Sequence, residues 1–265
     1  MRNLHILILL LLATSCSPPQ ESVTYNELVM RDGLTFKKFS DAPFTGMTTG
    51  RALGEMKNGL WTGEVSFYRE NGTLHRELTY EKGVRNGRFV GWCVNGNKQV
   101  EVEFNNDRKE GLYKENFCDG APRIRATFRE NLILGDSAKI YFFSGKTEKY
   151  FPLLNGQTHG VAFAYRKDGS TRRRVTWENG QLAGECAEYD KNSEVIEQLV
   201  FEEGRLIEWK RRVKDNPLST LPMPLNNSSE QKTSEAICSY LKASDIGRYI
   251  ERIDPFAGYE INIVE

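Results

Sequence analysis

Cysteine, histidine and paired carboxylates are the side chains through which this chain could do covalent, metal or acid–base chemistry. His75 and His159 stand alone, without a second ligand at the spacing of a metal site. No C-x-x-C pair, G-x-S-x-G elbow, phosphate-binding loop or H-E-x-x-H motif occurs. Glu202 and Glu203 are interpreted as solvated turn residues, because a glycosidase dyad needs two carboxylates facing across a cleft. We therefore expect no catalytic residue, no metal site and no cofactor, and a protein that is not an enzyme.

Basic side chains form two short clusters, at 172–174 and 210–212, in a chain whose charges balance. The sequence holds 36 acidic and 36 basic residues, so no long-range attraction to nucleic acid is expected. We interpret both clusters as solvated faces, and a patch for anionic headgroups or an acidic partner is the alternative.

The first sixteen residues, MRNLHILILLLLATSC, are typical of an export signal. A charge at Arg2 precedes an apolar run that is too short to span a bilayer. The ending resembles the lipobox of bacterial lipoproteins, in which the signal is removed and the cysteine is acylated. This predicts a signal peptide at 1–15, lipidation of Cys16, a tether at 16–27 and stable membrane anchoring.

Glycines recur with a period of 24 or 25 residues from Gly63 onwards. The first set is Gly63, Gly87, Gly111, Gly135, Gly160 and Gly184. The second set, nine or ten residues later, is Gly72, Gly96, Gly120, Gly145 and Gly169, with Ser193 completing it. Gly83, Gly156, Gly180 and Gly204 form a third set. We interpret these glycines as turn residues, because Asn-Gly and Asp-Gly favour hairpins. The period predicts six repeats of a β-hairpin.

Each repeat has two runs of about six residues, and aromatic side chains recur in both. One row, at the end of the second run, is Tyr80, Phe104, Phe128, Leu153, Trp177 and Phe201. Another row, in the first run, is Tyr68, Trp92, Tyr165 and Tyr189, with Asn116 interrupting it. Because side chains two apart share a face, both rows are expected on one apolar side of a twelve-strand antiparallel meander about 55 Å long.

The aromatic rows have two interpretations. The favoured one is a core that packs along the sheet. The alternative is a platform for a sugar or a peptide, and its candidate residues are Tyr68, Trp92, Tyr165, Tyr189 and Trp177.

The repeat unit G-x-x-x-x-Y-x-x-N-G-x-L-x-x-x-x-x-Y-x-x-G resembles the MORN-repeat variant, and most closely its bacterial YwqK-like antitoxin type. The segment GLTFKKFSDAPFTG, Gly33 to Gly46, resembles the opening of such arrays, and the resemblance covers about 28–209. It implies an all-β, elongated array of hairpins used as a binding or scaffolding surface. The antitoxin role is not carried over, because an exported lipoprotein would not meet a cytosolic toxin.

Four cysteines follow Cys16, which would allow two disulfides in three pairings. Cys93 and Cys118 lie at different offsets from their glycines, so they are expected to face opposite sides. Cys186 lies about three hairpins further along, beyond the reach of a bridge. We therefore expect buried free cysteines, including Cys238.

The repeat rhythm stops near residue 210. A proline-containing linker is predicted at 210–229, and an α-containing appendage at 230–265 with a helix from about Glu230 to Ala243. We expect the appendage to cover part of the apolar face.

These observations predict a lipid-anchored bacterial envelope protein, facing the periplasm or the cell surface, whose repeat sheet binds or scaffolds a protein. Ser17 after Cys16 favours the outer membrane by resemblance. A glycan- or peptidoglycan-binding module and an immunity protein are the alternatives.

Overall fold

The computed structural model describes residues 21–212 and 216–221, together with Cys238. Within these residues a 3-10 helix spans Tyr25–Glu27, Cys238 is α-helical, and the other regular elements are β-strands. The strands are β1 (Ser22–Thr24), β2 (Leu28–Arg31), β3 (Leu34–Lys37), β4 (Gly46–Thr49), β5 (Ala52–Lys57), β6 (Leu60–Tyr68), β7 (Leu74–Glu81), β8 (Val84–Trp92), β9 (Lys98–Asn105), β10 (Arg108–Asn116), β11 (Pro122–Arg129), β12 (Leu132–Tyr141), β13 (Thr147–Leu154), β14 (Gln157–Thr158), β15 (Gly160–Tyr165), β16 (Thr171–Glu178), β17 (Gln181–Tyr189), β18 (Val195–Glu202), β19 (Arg205–Arg211) and β20 (Ser219–Thr220).

Eighteen of these strands form one open sheet. From β4 to β20 each strand pairs antiparallel with the next, except that β14 and β15 both pair with β13. β1 adds to the N-terminal end by pairing parallel with β4. β2 and β3 form a separate hairpin. The six predicted repeats are the hairpins β6–β7, β8–β9, β10–β11, β12–β13, β15–β16 and β17–β18, so the all-β hairpin array is confirmed.

The turns inside the repeats are three-residue loops that lie along one edge of the sheet, which we call the wide-turn edge. In the second repeat Gly96 N donates to Cys93 O at 3.0 Å, and Cys93 N donates to Asn97 O at 2.9 Å. Gly96 has φ +84° and Gly169 has φ +97°, as predicted, whereas Asn95 stays outside the left-handed region. The loops are therefore type I turns followed by one left-handed residue, which is glycine in five repeats and Ser193 in the sixth, and they are not two-residue turns.

The turns between repeats are two-residue loops along the opposite edge, the tight-turn edge. Both residues have positive φ, for example Asn179 at +47° and Gly180 at +77°, which is the type I′ geometry. These turns contain the third glycine set, and Asn106-Asp107 and Glu130-Asn131 replace it in the two remaining cases. Backbone bonds such as Gly180 N to Thr158 O, at 2.9 Å, join a turn to the strand that follows the preceding turn.

The first glycine set does not lie in turns, which corrects the sequence prediction. Gly63, Gly87, Gly111, Gly135, Gly160 and Gly184 all belong to strands. At Gly87 (φ +113°), the pairs Leu78–Phe89 and Tyr80–Arg85 leave three residues of β8 opposite Thr79 alone. A β-bulge and a turn both favour a left-handed glycine, so the glycine spacing could not separate them.

The core lies on one face of the sheet and includes the aromatic row of the second strands. Phe104, Phe128, Leu153, Trp177 and Phe201 are at most 7% exposed, and Tyr80 is half-buried. The sequence analysis missed a second core row, two residues after the bulge glycine. It consists of Val65, Phe89, Tyr113, Ala162 and Cys186, all buried. Phe89 meets Phe104 edge-on with ring centroids 6.0 Å apart, so the two rows pack on each other within a repeat.

The four cysteines that were expected to be free form two disulfides instead. Cys93–Cys118 joins neighbouring wide turns, with Cα atoms 5.6 Å apart. Cys93 is the residue just before its three-residue loop, and Cys118 is the first residue of the next three-residue loop. The one-residue offset that suggested opposite faces therefore brings the two cysteines together. Cys186–Cys238 spans 6.0 Å between Cα atoms. Cys186 pairs with a residue far along the chain, which repeat spacing could not reveal.

The ends of the array also differ from the predicted boundaries. Residues 22–27 of the predicted tether form β1 and the 3-10 helix, and Ser219–Thr220 of the predicted linker form β20 on β19. Cys238 is fully buried in the core cluster, and Leu221 packs against that cluster. Cys238 therefore lies against the core face; the predicted signal peptide, Cys16 and the rest of the predicted appendage lie outside the described residues.

Gly96→Val and Gly169→Val should each lower the free energy of unfolding by about 1–3 kcal/mol, the cost of strained backbone. A Cβ at either glycine meets nothing within 4 Å, so the loss would come from φ alone. Asparagine is the matched control, because it adopts the left-handed conformation more readily than valine does. The equivalent loop position of the sixth repeat already carries a residue other than glycine, Ser193 at φ +65°. Thermal and urea unfolding measure the difference, and valine variants as stable as the parent would contradict it.

Candidate functional site

One residue from each successive strand forms a straight row across the solvent face of the sheet, which we call the transverse row. Cross-strand register gives its members as Ser66, Glu77, Val90, Glu101, Lys114, Arg125, Lys139, Tyr150, Phe163, Arg174, Ala187, Gln198 and Lys210. Phe163 is half-buried, and its strand neighbours Ala162 and Ala164 are buried in the core. Because neighbours on a strand point to opposite faces, the row faces away from the core.

Three cations stand directly opposite one another in the middle of this row. Lys114 pairs in register with Arg125, and Arg125 pairs with Lys139. None of the three belongs to an ion pair among the described residues. Glu101 is the next residue of the row, but Lys98 (2.9 Å) and Arg88 (3.2 Å) hold its carboxylate and lower its pKa. Like charges at opposed cross-strand positions destabilise a sheet, so this arrangement needs a reason other than folding.

The Arg125 guanidinium is held in place by backbone oxygens and an amide. Its Nη1 donates to Glu115 O at 2.6 Å and to Ile124 O at 2.7 Å, and its Nη2 donates to Asn116 Oδ1 at 2.7 Å. Burial lowers the pKa of Arg125. The guanidinium is therefore held in place without a direct ion pair among the described residues, although the Glu101 and Glu115 carboxylates interact with it electrostatically.

Aromatic rings continue the row beside the cations. Phe163 and Tyr165 stack with ring centroids 5.8 Å apart and planes 16° from parallel. Lys139 Nζ lies 5.9 Å from the Tyr150 ring centroid. Burial raises the pKa of Tyr165, and the neighbouring Tyr150 raises it further. Tyr150, Tyr165, Lys139 and Lys146 line an open cleft of about 460 Å³.

The candidate residues from the sequence separate onto two faces. Tyr68, Trp92, Tyr165 and Tyr189 are half-buried at the ends of first strands. Phe163 and Tyr165 are two residues apart on the same strand, so both lie on the solvent face of the sheet. Trp177 is 1% exposed in the core, so it cannot contact a surface ligand, and its candidacy was wrong. The two aromatic rows therefore do not share one apolar side.

The first-strand aromatics also lie in different repeats, so one small ligand cannot touch them all. Tyr68 lines a separate open cleft of about 460 Å³ with Tyr25, Arg51 and Arg69. Of the four first-strand aromatics, Tyr165 is the one that contacts the transverse row, by stacking on Phe163.

The basic clusters noticed in the sequence are neutralised by carboxylates. Arg174 Nη1 meets Glu185 Oε2 at 2.7 Å, and Arg173 and Arg172 share Glu188. In the second cluster Arg211 pairs with Glu197, and Lys210 and Arg212 also have acidic partners. The basic side chains of both clusters are thus held in ion pairs. The three unpaired cations are far apart in sequence, and only the cross-strand register could have identified them.

A second surface feature lies on the wide-turn edge. Val94 and Phe143 are 61% and 65% exposed, and Phe143 meets Phe117 edge-on at 5.2 Å. The corresponding loop positions elsewhere carry Glu70, Lys167 and Lys191. The apolar patch therefore spans the second to fourth repeats, next to the Cys93–Cys118 bridge.

The described residues contain no group of three potential metal ligands. Within that same part of the chain, no helix has the length and apolar character needed to cross a bilayer. Comparison with protein-family models finds no match, and comparison with curated proteins finds none either.

Proposed function

We propose that this chain is a lipid-anchored bacterial envelope protein whose hairpin sheet serves as a non-enzymatic binding surface, with an acidic glycan as the ligand of its transverse row. The observation that carries the proposal is the run Lys114–Arg125–Lys139–Tyr150–Phe163, one residue per strand on one face. The MORN-type resemblance of the repeat unit, with its implied binding or scaffolding role, agrees with it.

The chemistry of this run favours an extended ligand that carries both negative charge and flat apolar faces. Strands lie about 4.8 Å apart, so the three cations cover about 10 Å and the rings continue the same line. Carboxylates or phosphates of a polysaccharide would neutralise the cations. Sugar rings would lie on the Phe163 and Tyr165 faces, whose planes are nearly parallel. A cell-wall polymer combines both features.

A second candidate function is protein scaffolding through the wide-turn edge. Val94, Phe117 and Phe143 form an exposed apolar patch of the kind that occurs at protein interfaces. The patch is supported by a disulfide, so it is held in a defined shape when a partner docks.

Reversing the charges of the row should weaken binding of soluble peptidoglycan fragments at least about tenfold, a change of roughly 1.4 kcal/mol. We expect this for Lys114→Glu combined with Lys139→Glu, and a similar loss for Tyr150→Ala combined with Tyr165→Ala. Lys191→Glu is the matched control, because this lysine is exposed on a wide turn away from the row. Isothermal titration is the appropriate readout, since Trp177 is buried and would not report a surface ligand.

Two further ligands make the test discriminating. A neutral polysaccharide should bind weakly, and binding to acidic glycan should fall as salt rises. If a polyglutamate peptide bound as tightly as the glycan and the double tyrosine variant bound normally, an acidic protein would be the ligand instead. If no anionic polymer bound, the proposed function of the row would be wrong.

Anchoring is tested separately at Cys16. Cys16→Ser should release the protein from membrane fractions or leave the signal peptide uncut, because three acyl chains exceed what stable anchoring needs. Intact-mass analysis of the purified protein gives the mature N-terminus. A mature N-terminus other than an acylated Cys16 would contradict the anchor.

A further inference from the structure

Phe39 is an apolar side chain presented entirely to solvent. Its relative exposure is 107%, whereas the other large exposed hydrophobic residues are at most 66% exposed. It also adopts φ +65°, a left-handed backbone conformation that is unfavourable for a residue with a bulky side chain. An exposed ring on strained backbone is unfavourable for an isolated soluble fold, so a contact that removes the ring from water would offset both costs.

The loop that carries Phe39 is held by several hydrogen bonds. Lys38 N donates to Glu27 O at 2.8 Å, Ser40 N donates to Lys37 O at 3.1 Å, and the Arg31 guanidinium donates to Ser40 O. Phe36 forms a β-bridge with Pro43 at the base of the loop. The loop is therefore a fixed projection, and the outward position of the ring follows from its backbone.

This projection lies next to the N-terminal end of the described residues. Lys37 Nζ forms an ion pair with Glu21 Oε1, at the first described residue. Cys16 is five residues before Glu21, and a fully extended chain advances at most about 3.6 Å per residue, so these residues span no more than about 18 Å. An acyl group on Cys16 would therefore confine the Phe39 loop to the neighbourhood of the bilayer surface.

The charges around the ring suit a phospholipid surface. Lys38 is exposed and has no ion-pair partner among the described residues, while Lys37 is paired with Glu21. Of the nearby acids, Asp41 faces Arg31 at 3.9 Å, and Glu27 accepts a bond from Thr24. An aromatic ring with a free lysine beside it is the combination that enters a membrane interface, where the ring is buried and the ammonium stays with the headgroups.

We propose that the Phe39 loop is a membrane-contact element that inserts its ring into the same leaflet that holds the lipid anchor. It acts as a second attachment point and fixes how the sheet stands on the membrane. The inference rests on the acylation of Cys16 proposed above.

Brominated lipids test the insertion, because bromine on an acyl chain quenches only nearby indoles. The mature chain, acylated at Cys16, would be prepared in its parent form and as Phe39→Trp and Phe143→Trp. Each would be reconstituted into phosphatidylcholine–phosphatidylglycerol vesicles with and without acyl-brominated lipid. Phe143→Trp is the matched control, since Phe143 is an exposed phenylalanine on the wide-turn edge.

We expect the emission added at position 39 to be largely quenched and shifted to shorter wavelength, and the emission added at 143 to be unchanged. Lys38→Glu in the Phe39→Trp chain should reduce the quenching. Equal quenching at 39 and 143 in protein that floats with the vesicles would overturn the loop inference alone. A chain that does not float with the vesicles would overturn the anchor, and the loop inference with it.

Discussion

Replacing Trp177 with alanine should lower the free energy of unfolding by about 3–5 kcal/mol, through lost burial and the cavity left behind. Trp177 is 1% exposed and belongs to the cluster that runs the length of the sheet. It pairs in register with Gly160 and with Leu182 of the flanking strands, so no single neighbour could fill the space.

Thr176→Ala is the control for this prediction. Thr176 is the preceding residue of the same strand, half-buried on the solvent face, and should change stability by less than about 0.5 kcal/mol. Urea unfolding followed by circular dichroism compares the two variants. A larger loss for Thr176 than for Trp177 would mean that the core face has been misassigned.

The order of elements and the core row of the second strands were predictable from sequence because they depend on local patterns. Gly96 after Asn95 signals a turn, and alternation brings Phe104 and Val102 to one face. Both signals concern residues that are close in the chain, and the structure confirms them.

The features that the sequence did not reveal depend on register between strands. Gly87 has the same local signature in a bulge as it would in a turn. The bulge changes which residues of the next strand lie opposite, so repeat arithmetic misplaced the first-strand aromatics relative to Trp177. For the same reason the meeting of Lys114, Arg125 and Lys139 could not be foreseen, and neither could the bridge between Cys93 and Cys118.

A buried carboxylate in the third repeat provides the second large effect. Glu115 is fully buried at a position that Phe67, Ile140 and Ala164 occupy in other repeats. Arg123 Nη1 donates to its Oε1 at 2.7 Å, and Tyr113 donates its hydroxyl to Oε2 at 3.0 Å. Burial raises the pKa of Glu115, and the Arg123 charge opposes that rise.

Removing the arginine should therefore leave a charge that the core cannot accommodate. We expect Arg123→Ala to lower the free energy of unfolding by about 2–4 kcal/mol at pH 7, below the full cost of breaking a buried pair because Arg123 is itself about one-third exposed.

The loss should depend on pH, and its direction follows from proton linkage. A carboxyl whose pKa is raised by folding binds more protons in the native state, so stability falls as pH rises. Without Arg123 the native pKa of Glu115 rises further, while the unfolded pKa stays at about 4.3. The deficit of Arg123→Ala should thus be small near pH 4 and widen toward neutral pH.

The double variant Glu115→Gln/Arg123→Ala separates the charge from the packing of the arginine stem. Glutamine keeps the shape of Glu115 and its bond from Tyr113 but carries no charge, so the double variant should be more stable at pH 7 than Arg123→Ala alone. Its deficit relative to Glu115→Gln should also be independent of pH between 4 and 7. Urea unfolding of the four proteins of this cycle at both pH values gives the coupling energy. A coupling that is the same at pH 4 and pH 7 would show that Arg123 stabilises the sheet through packing on Phe117, whose ring centroid lies 5.7 Å from the guanidinium, and not by compensating Glu115.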